Sequence, residues 1–360
     1  MKKNRLLWLM FLLILPVFAF SACNNNAPER LTQDVAATDK TDPLYPPVLY
    51  LRMSTGPTSG NYYPFGAALA KAVDESSNYL IIDVLASADT DSAESIGRLA
   101  NDEAQLALVQ NDILSYAYYA TDTWQDKPPV TNMAPLMTLY PEICQVVVGA
   151  NSGLTSLEDL KGRRVAIGEE GTALQASALK ILAEYGLGEE NIEAMYLDFS
   201  EAAQAMRDKT IDAFFVIVGT PNKAMMDLQA EREITVLSLD ENVIASLIGK
   251  YPFYTTYTMK ESDYSFLTQP VNTVALRITL VAASSLSEQA AYDIVKTILK
   301  NSDKIAATHA KGMYVNADNA TRGLPLELHP GALRYFKEIG ILTDPAPQDI
   351  PDDEQIESDN

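Results

Sequence analysis

The sequence is poor in histidine and cysteine, with two of each in 360 residues. So few ligands exclude a zinc cluster, and two thiols cannot build a disulfide framework. Basic side chains are scarce too: 27 Lys and Arg face 48 Asp and Glu, a formal charge of −21. A surface so acidic repels phosphate backbones, which argues against nucleic-acid binding. Only one long uninterrupted apolar run occurs, at 6–20, and no internal repeat is visible. What remains is an ordinary globular composition, 47% hydrophobic and 21% charged, in a chain long enough for two domains.

The apolar run follows Lys2, Lys3 and Arg5 and ends at Ser21-Ala22-Cys23. A basic start, a short apolar stretch and small residues before a cut site describe a secretory signal peptide over 1–22. The run is shorter than the roughly 20 residues of a membrane span. Ser-Ala-Cys is similar to a bacterial lipobox, so Cys23 is expected to carry lipid; an ordinary cleaved signal is the alternative. Cys144 would then have no thiol partner, and its apolar neighbours 146–148 point to a buried, unreactive side chain.

Residues 23–47 combine three consecutive Asn with Pro43, Pro46 and Pro47 and read as a flexible tether. Residues 343–360 carry seven acids, three Pro and no base, and read as a disordered acidic tail. The span between them, 48–342, is the length of two lobes of about 150 residues each. Within it apolar runs alternate with helical patterns, the mark of an α/β architecture. Strands are expected at 48–53, 80–85, 104–110, 145–150, 163–167, 192–197, 211–218, 233–238 and 271–282. Helices are expected at 64–73, 91–99, 172–184, 221–230, 287–299 and 330–339, with a short helical turn opening at Ser156.

Three strand-to-helix turns share one chemistry: 54–64, 168–172 and 219–221. In open α/β sheets such turns lie at the carboxyl ends of strands, where ligands bind. A helix start presents unpaired N–H groups and a partial positive charge, a seat for a carboxylate. Glycine, serine and threonine also serve there simply as helix caps. The first turn is not a P-loop, because Gly56 and Gly60 enclose three residues and Asn61 stands where Lys is required. Catalytic constellations are scarce: His309 and His329 have no nucleophile at a recognisable spacing, and no carboxylate pair stands out for acid–base work. His329-Pro330 reads as a helix start with a structural imidazole.

Several segments, in order, resemble the TAXI-type solute-binding proteins of TRAP transporters. They are Ser54-Thr55-Gly56 through Tyr62-Tyr63-Pro64, Val109-Gln110-Asn111-Asp112, and Asp159-Leu160-Lys161-Gly162-Arg163-Arg164. Ile211-Asp212-Ala213-Phe214, Gly219-Thr220-Pro221, Tyr251-Pro252-Phe253-Tyr254 and Pro325-Leu326-Glu327-Leu328-His329-Pro330-Gly331 follow in register. Ser54 replaces the family's first glycine, Ser95 replaces an asparagine, and Glu169-Glu170 precede the second loop.

The resemblance implies a periplasmic-binding-protein type II-like fold: two α/β lobes around a ligand cleft, joined by two hinge crossings near 143–150 and 271–282. Lobe one would be 48–143 plus 283–342, and lobe two 144–282. It implies an extracytoplasmic receptor, without cofactor, that delivers a small carboxylate to a TRAP permease, and the lipobox-like stretch before Cys23 adds a lipid anchor. The ligand would be an amino acid such as glutamate, or a dicarboxylate; Glu169-Glu170 leave room for a zwitterion. A receptor for an ABC importer or a membrane sensor is the alternative, and an extracytoplasmic enzyme is disfavoured. The cleft residues expected are Thr55, Ser59, Asn61, Tyr62 and Tyr63 on the first loop, Ser92 and Gln110 facing the same crevice from the same lobe, and Gly171, Thr172 and Ala173 offering N–H groups from the opposite lobe. Tyr63→Phe and Thr172→Val are then expected to weaken binding while leaving the unliganded melting temperature nearly unchanged.

Overall fold

The computed structural model describes residues 47–88 and 92–343. The signal peptide 1–22, nearly all of the tether and the acidic tail beyond Thr343 lie outside the described residues, as does Asp91. The first half of the chain runs β1 (Leu49–Ser54), α1 (Tyr62–Asp74), β2 (Leu80–Leu85), α2 (Ala93–Ala100), β3 (Leu106–Gln110) and α3 (Asn111–Tyr119). A long strand, β4 (Met133–Gly149), leads into β5 (Arg164–Ala166), α4 (Ala173–Glu184), β6 (Glu193–Met195), α5 (Phe199–Arg207) and β7 (Ala213–Val218). Then come α6 (Lys223–Glu231), β8 (Ile234–Leu237), α7 (Glu241–Lys250) and β9 (Thr255–Met259). A second long strand, β10 (Val271–Ala283), returns to α8 (Glu288–Lys300), α9 (Ser302–Thr308), a 3-10 turn at Ala310–Tyr314 and α10 (Pro330–Glu338).

The strands form one mixed sheet in the order β2-β1-β3-β10-β4-β7-β5-β6, with β8 beside β4 and β9 beside β10. β1 pairs in parallel with β2 and β3, and β5 does so with β6 and β7. The two parallel groups are joined by β4 and β10, which run antiparallel to each other and change neighbours part-way along. β4 pairs with β10 over 133–143, then with β7 from Ile143 and with β8 from Val146. β10 pairs with β9 over 271–275 and with β3 over 278–282. Each long strand therefore belongs to both groups, which gives two α/β lobes with two chain crossings, the fold class the resemblance implies.

Burial explains why both crossings are so long. Almost every residue of β4 and β10 is buried, so their backbone polar groups must pair along their whole length. One apolar cluster packs α1, α8 and α10 on β1–β3 around Phe65, Tyr140 and Phe336. Another packs α5 and α6 on β7 around Phe214 and Met225. A third includes Val109, Tyr116, Val165, Phe253 and Leu276, drawing from both parallel groups.

Most expected elements are present within one or two residues. The strand expected at 145–150 is only the end of β4. Pro135, Pro141 and Glu142 break the apolar run upstream, yet Pro141 lies opposite Arg277 next to a register shift, where a missing N–H is tolerated. The expected strands at 163–167 and 192–197 shrink to three residues each. α3, α7, β9 and α9 are elements the sequence reading leaves out. Cys144 is a free, buried thiol whose pKa burial pushes far up, so it is inert. His329 is buried, its Nδ1 accepting from Gly331 N at 3.2 Å and its Nε2 meeting Leu286 O at 3.0 Å, a structural role as expected.

Candidate functional site

The first glycine loop folds over a cavity of about 230 Å³. Gly56, Pro57, Gly60, Asn61 and Tyr62 form one wall; Gln110 from the end of β3, Glu142 from β4 and Ile217 from β7 complete it. Gly60 N donates to Pro57 O at 2.9 Å, which closes the turn and brings Asn61 to the start of α1. No side chain caps that thirteen-residue helix, and Pro64 in its first turn has no N–H to offer, which leaves those of Tyr62 and Tyr63 without an N-cap acceptor.

Opposite the loop stands a buried carboxylate. Glu142 is 9% exposed, and the Tyr62 hydroxyl donates to its Oε2 across a long 3.4 Å. Burial pushes its pKa up to about 7, against the pull of Lys311 and the Tyr62 hydrogen bond, with Asp112 adding to the rise. Lys311 lies nearby, yet its ammonium donates to Thr220 O at 2.9 Å, and burial lowers its pKa. Asp112 is fully buried at the first turn of α3. Gln110 Nε2 and Ile113 N both donate to its Oδ1, at 2.9 and 2.7 Å, while its Oδ2 has no partner among the described residues. Burial raises it to about 6, against those bonds and the pull of Lys180. Tyr62 is held as a neutral phenol, well above its ordinary value, by burial and by Glu142.

The second turn opens on a larger groove of about 710 Å³ between α4 and the chain at 122–127. Gly171, Thr172 and Lys180 line it. Lys180 pairs with Asp122 and lies 5.1 and 5.3 Å from the ring centres of Tyr116 and Tyr251, so its charge is already engaged. At the third turn Thr220 is buried, its hydroxyl donating to Asp263 at 2.5 Å. A Cβ on Gly219 would meet the far end of the Lys311 side chain, which would have to shift to admit it. Among the described residues no group of three or more His, Cys, Asp or Glu could hold a metal ion.

The sequence profile of the NMT1-like family matches residues 53–340. The chain belongs to the NMT1-like family. Among solved structures it is similar to the periplasmic sulfonate-binding protein SsuA from Methylobacillus flagellatus, at a TM-score of 0.50 and 14% identity over 81% of this chain and 78% of that one. The aliphatic sulphonate binding protein SsuA from Escherichia coli aligns at 0.49 and 16%, over 82% and 84%. A TctC solute binding protein from Polaromonas aligns at 0.49 and 13%, over 81% and 98%. At these identities the likeness to the first concerns the fold, that of periplasmic binding proteins.

In this NMT1-like chain the expected cleft residues fall into separate groups. Asn61, Tyr62 and Gln110 come together at the small cavity. Thr55 and Ser92 lie behind it, buried and committed: Thr55 Oγ1 donates to Leu85 O, and Ser92 Oγ accepts from Gln110 N, both at 2.9 Å. Ser59 is exposed at the loop tip. Tyr63 points elsewhere, into a shallow depression with Arg52, Val84 and Arg98, because adjacent helical residues face about 100° apart. Gly171 and Thr172 line the larger groove, but their N–H groups are not free. Gly171 N donates to Gln175 Oε1 at 2.7 Å and Thr172 N to Glu169 O at 3.2 Å. Ala173 lines neither cavity. Glu142, Asp112 and Lys311 were not among the residues expected at the cleft; an acid inside an otherwise apolar run, as at Glu142, is the signal in the sequence that marks one of them.

Proposed function

We propose that this NMT1-like chain is an extracytoplasmic solute-binding protein, lipid-anchored at Cys23, that captures a small carboxylate and hands it to a TRAP-type ion-driven permease. The observation that carries the binding part is the small cavity. Its wall takes Gly56, Asn61, Tyr62 and Gln110 from one parallel group, Ile217 from the other, and Glu142 from a strand they share. A ligand touching both sides stabilises the arrangement that offers both sets of contacts. In this reading lobe one is 48–143 plus 283–342 and lobe two 144–282. The uncapped start of α1 and the resemblance to TAXI-type receptors support an amino acid such as glutamate, or a dicarboxylate, as ligand. The protein binds and releases without making or breaking bonds, and needs no cofactor.

Calorimetric titration with amino acids, organic acids, sulfonates and sugars tests the ligand class; binding of a sugar alone would overturn it. Mass analysis of membrane-extracted protein tests the anchor, which an unmodified Cys23 would refute. The likeness in fold to the SsuA protein, whose own description names a sulfonate ABC transporter, favours a second reading, a receptor for an ABC importer. Uptake into cells separates the two: TRAP transport survives ATP depletion and stops when ion gradients collapse.

A further inference from the structure

The small cavity has two unlike ends. At one end lie the 56–61 turn, whose Gly60 N–H is already given to Pro57 O, and the start of α1, where no side chain caps the positive end of a thirteen-residue helix. At the other end is Glu142, nine-tenths buried, with one long hydrogen bond from Tyr62 and no hydrogen-bond partner on its Oε1 among the described residues. Lys311 offsets part of the carboxylate charge through space, but its ammonium donates its hydrogen bond to Thr220 O rather than to Glu142. Asp112, a second buried acid whose Oδ2 has no partner among the described residues, adds to the negative charge nearby. With one long hydrogen bond and a neighbouring cation that donates elsewhere, this carboxylate on the cavity wall has an oxygen available to a donor that enters.

We propose that Glu142 is the ammonium-recognising residue of this cavity and that the ligand is a small zwitterion, an α-amino acid or close analogue, rather than an amine-free acid. This deepens the carboxylate-receptor reading above and rests on it. The ligand carboxylate takes the N–H groups at the start of α1, and its ammonium donates to Glu142 beside the Tyr62 hydroxyl and Gln110. The volume of about 230 Å³ lies below the usual range for drug-sized ligands and suits a molecule of this size. An amine-free dicarboxylate would instead bring a second anion against Glu142, which repels it wherever Glu142 is ionised, as at pH 8.

The test is calorimetric titration at pH 8 of the intact lipoprotein in detergent with matched pairs: L-glutamate and 2-oxoglutarate, L-leucine and 4-methyl-2-oxopentanoate, L-alanine and pyruvate. The amino acid of at least one pair should bind tenfold or more tighter than its oxo counterpart. Glu142→Gln should erase most of that preference by weakening the amino acid, leaving the oxo acid unchanged or tighter. A residue with a merely structural role would weaken both members alike. Tighter binding of the oxo acids, or an unchanged ratio in Glu142→Gln, overturns the proposal while leaving the carboxylate reading intact. Failure of every acid to bind overturns both.

Discussion

At the scale of single residues, Glu142 concentrates the chemistry. It is faced by Tyr62 from α1, Asp112 from α3, Tyr140 from β4 and Lys311 from the 3-10 turn after α9. Its folded pKa of about 7 lies above the ordinary 4.5, so the folded state binds the proton more tightly than the unfolded chain. The ionised form therefore costs stability above about pH 7, and that cost fades as pH falls towards 4.5. Unliganded Glu142→Gln should melt at a higher temperature than the natural protein at pH 8, with the gap closing by about pH 5, as read by calorimetry. A lower melting temperature at pH 8 would mean that attraction to Lys311 outweighs burial. The neighbouring tyrosines separate as cleanly. Because Tyr62 faces the cavity and Tyr63 does not, Tyr62→Phe should weaken amino-acid binding several-fold and Tyr63→Phe should not. Losing a hydrogen bond next to a charged group costs about 1.5–3 kcal/mol at full strength, and less at 3.4 Å. Equal effects in titrations of the two variants would refute this orientation.

At the scale of elements, helix ends decide which turns are available to a ligand. Thr172 is the N-cap of α4: its hydroxyl accepts from Gln175 N at 3.3 Å and donates to Glu169 O at 2.7 Å. A turn that satisfies itself this way is a poor seat for an anion, whereas the start of α1 has no such cap. Contrary to what the sequence implies, Thr172→Val should lower unliganded stability by about 0.5–2 kcal/mol, measured by urea unfolding. Unchanged stability would show that the cap bond carries nothing. The helix starts at Asp198 and Ser287 are capped similarly, by bonds to Glu201 N at 2.8 Å and Ala290 N at 3.2 Å. Their role is folding.

At the scale of the whole molecule, β4 and β10 carry the consequence. Any change in the angle between the two parallel groups must pass through these strands, since both groups hang from them. The third apolar cluster and the Lys311–Thr220 hydrogen bond also link segments far apart in sequence. A ligand bridging Asn61 and Ile217 adds contacts on both sides. Saturating ligand should therefore shrink the radius of gyration in solution scattering and slow hydrogen exchange in the 54–64 and 217–221 turns together. Slower exchange in one turn alone would place the ligand on one lobe only.

The alternation of strands and helices was legible in the sequence because each short element repeats its own period of apolar residues. So were the inert Cys144, beside an apolar run, and the helix start at His329-Pro330, although the ring's other partner, Leu286 O, is distant in sequence. The 54–64 loop was legible too, since its glycines and the helix after it are chain neighbours. β4 was not, because Pro135, Pro141 and Glu142 break the apolar pattern and only pairing with β10, β7 and β8 makes that stretch a strand. Nor was the split between Tyr62 and Tyr63, which depends on the rotation of α1 against its sheet. The partnership of Glu142, Asp112 and Lys311 lay furthest out of reach. Sequence fixes what charges a chain carries, but burial and distance decide which of them stay uncompensated, and residues 112, 142 and 311 meet only when the crossing strands bring them together.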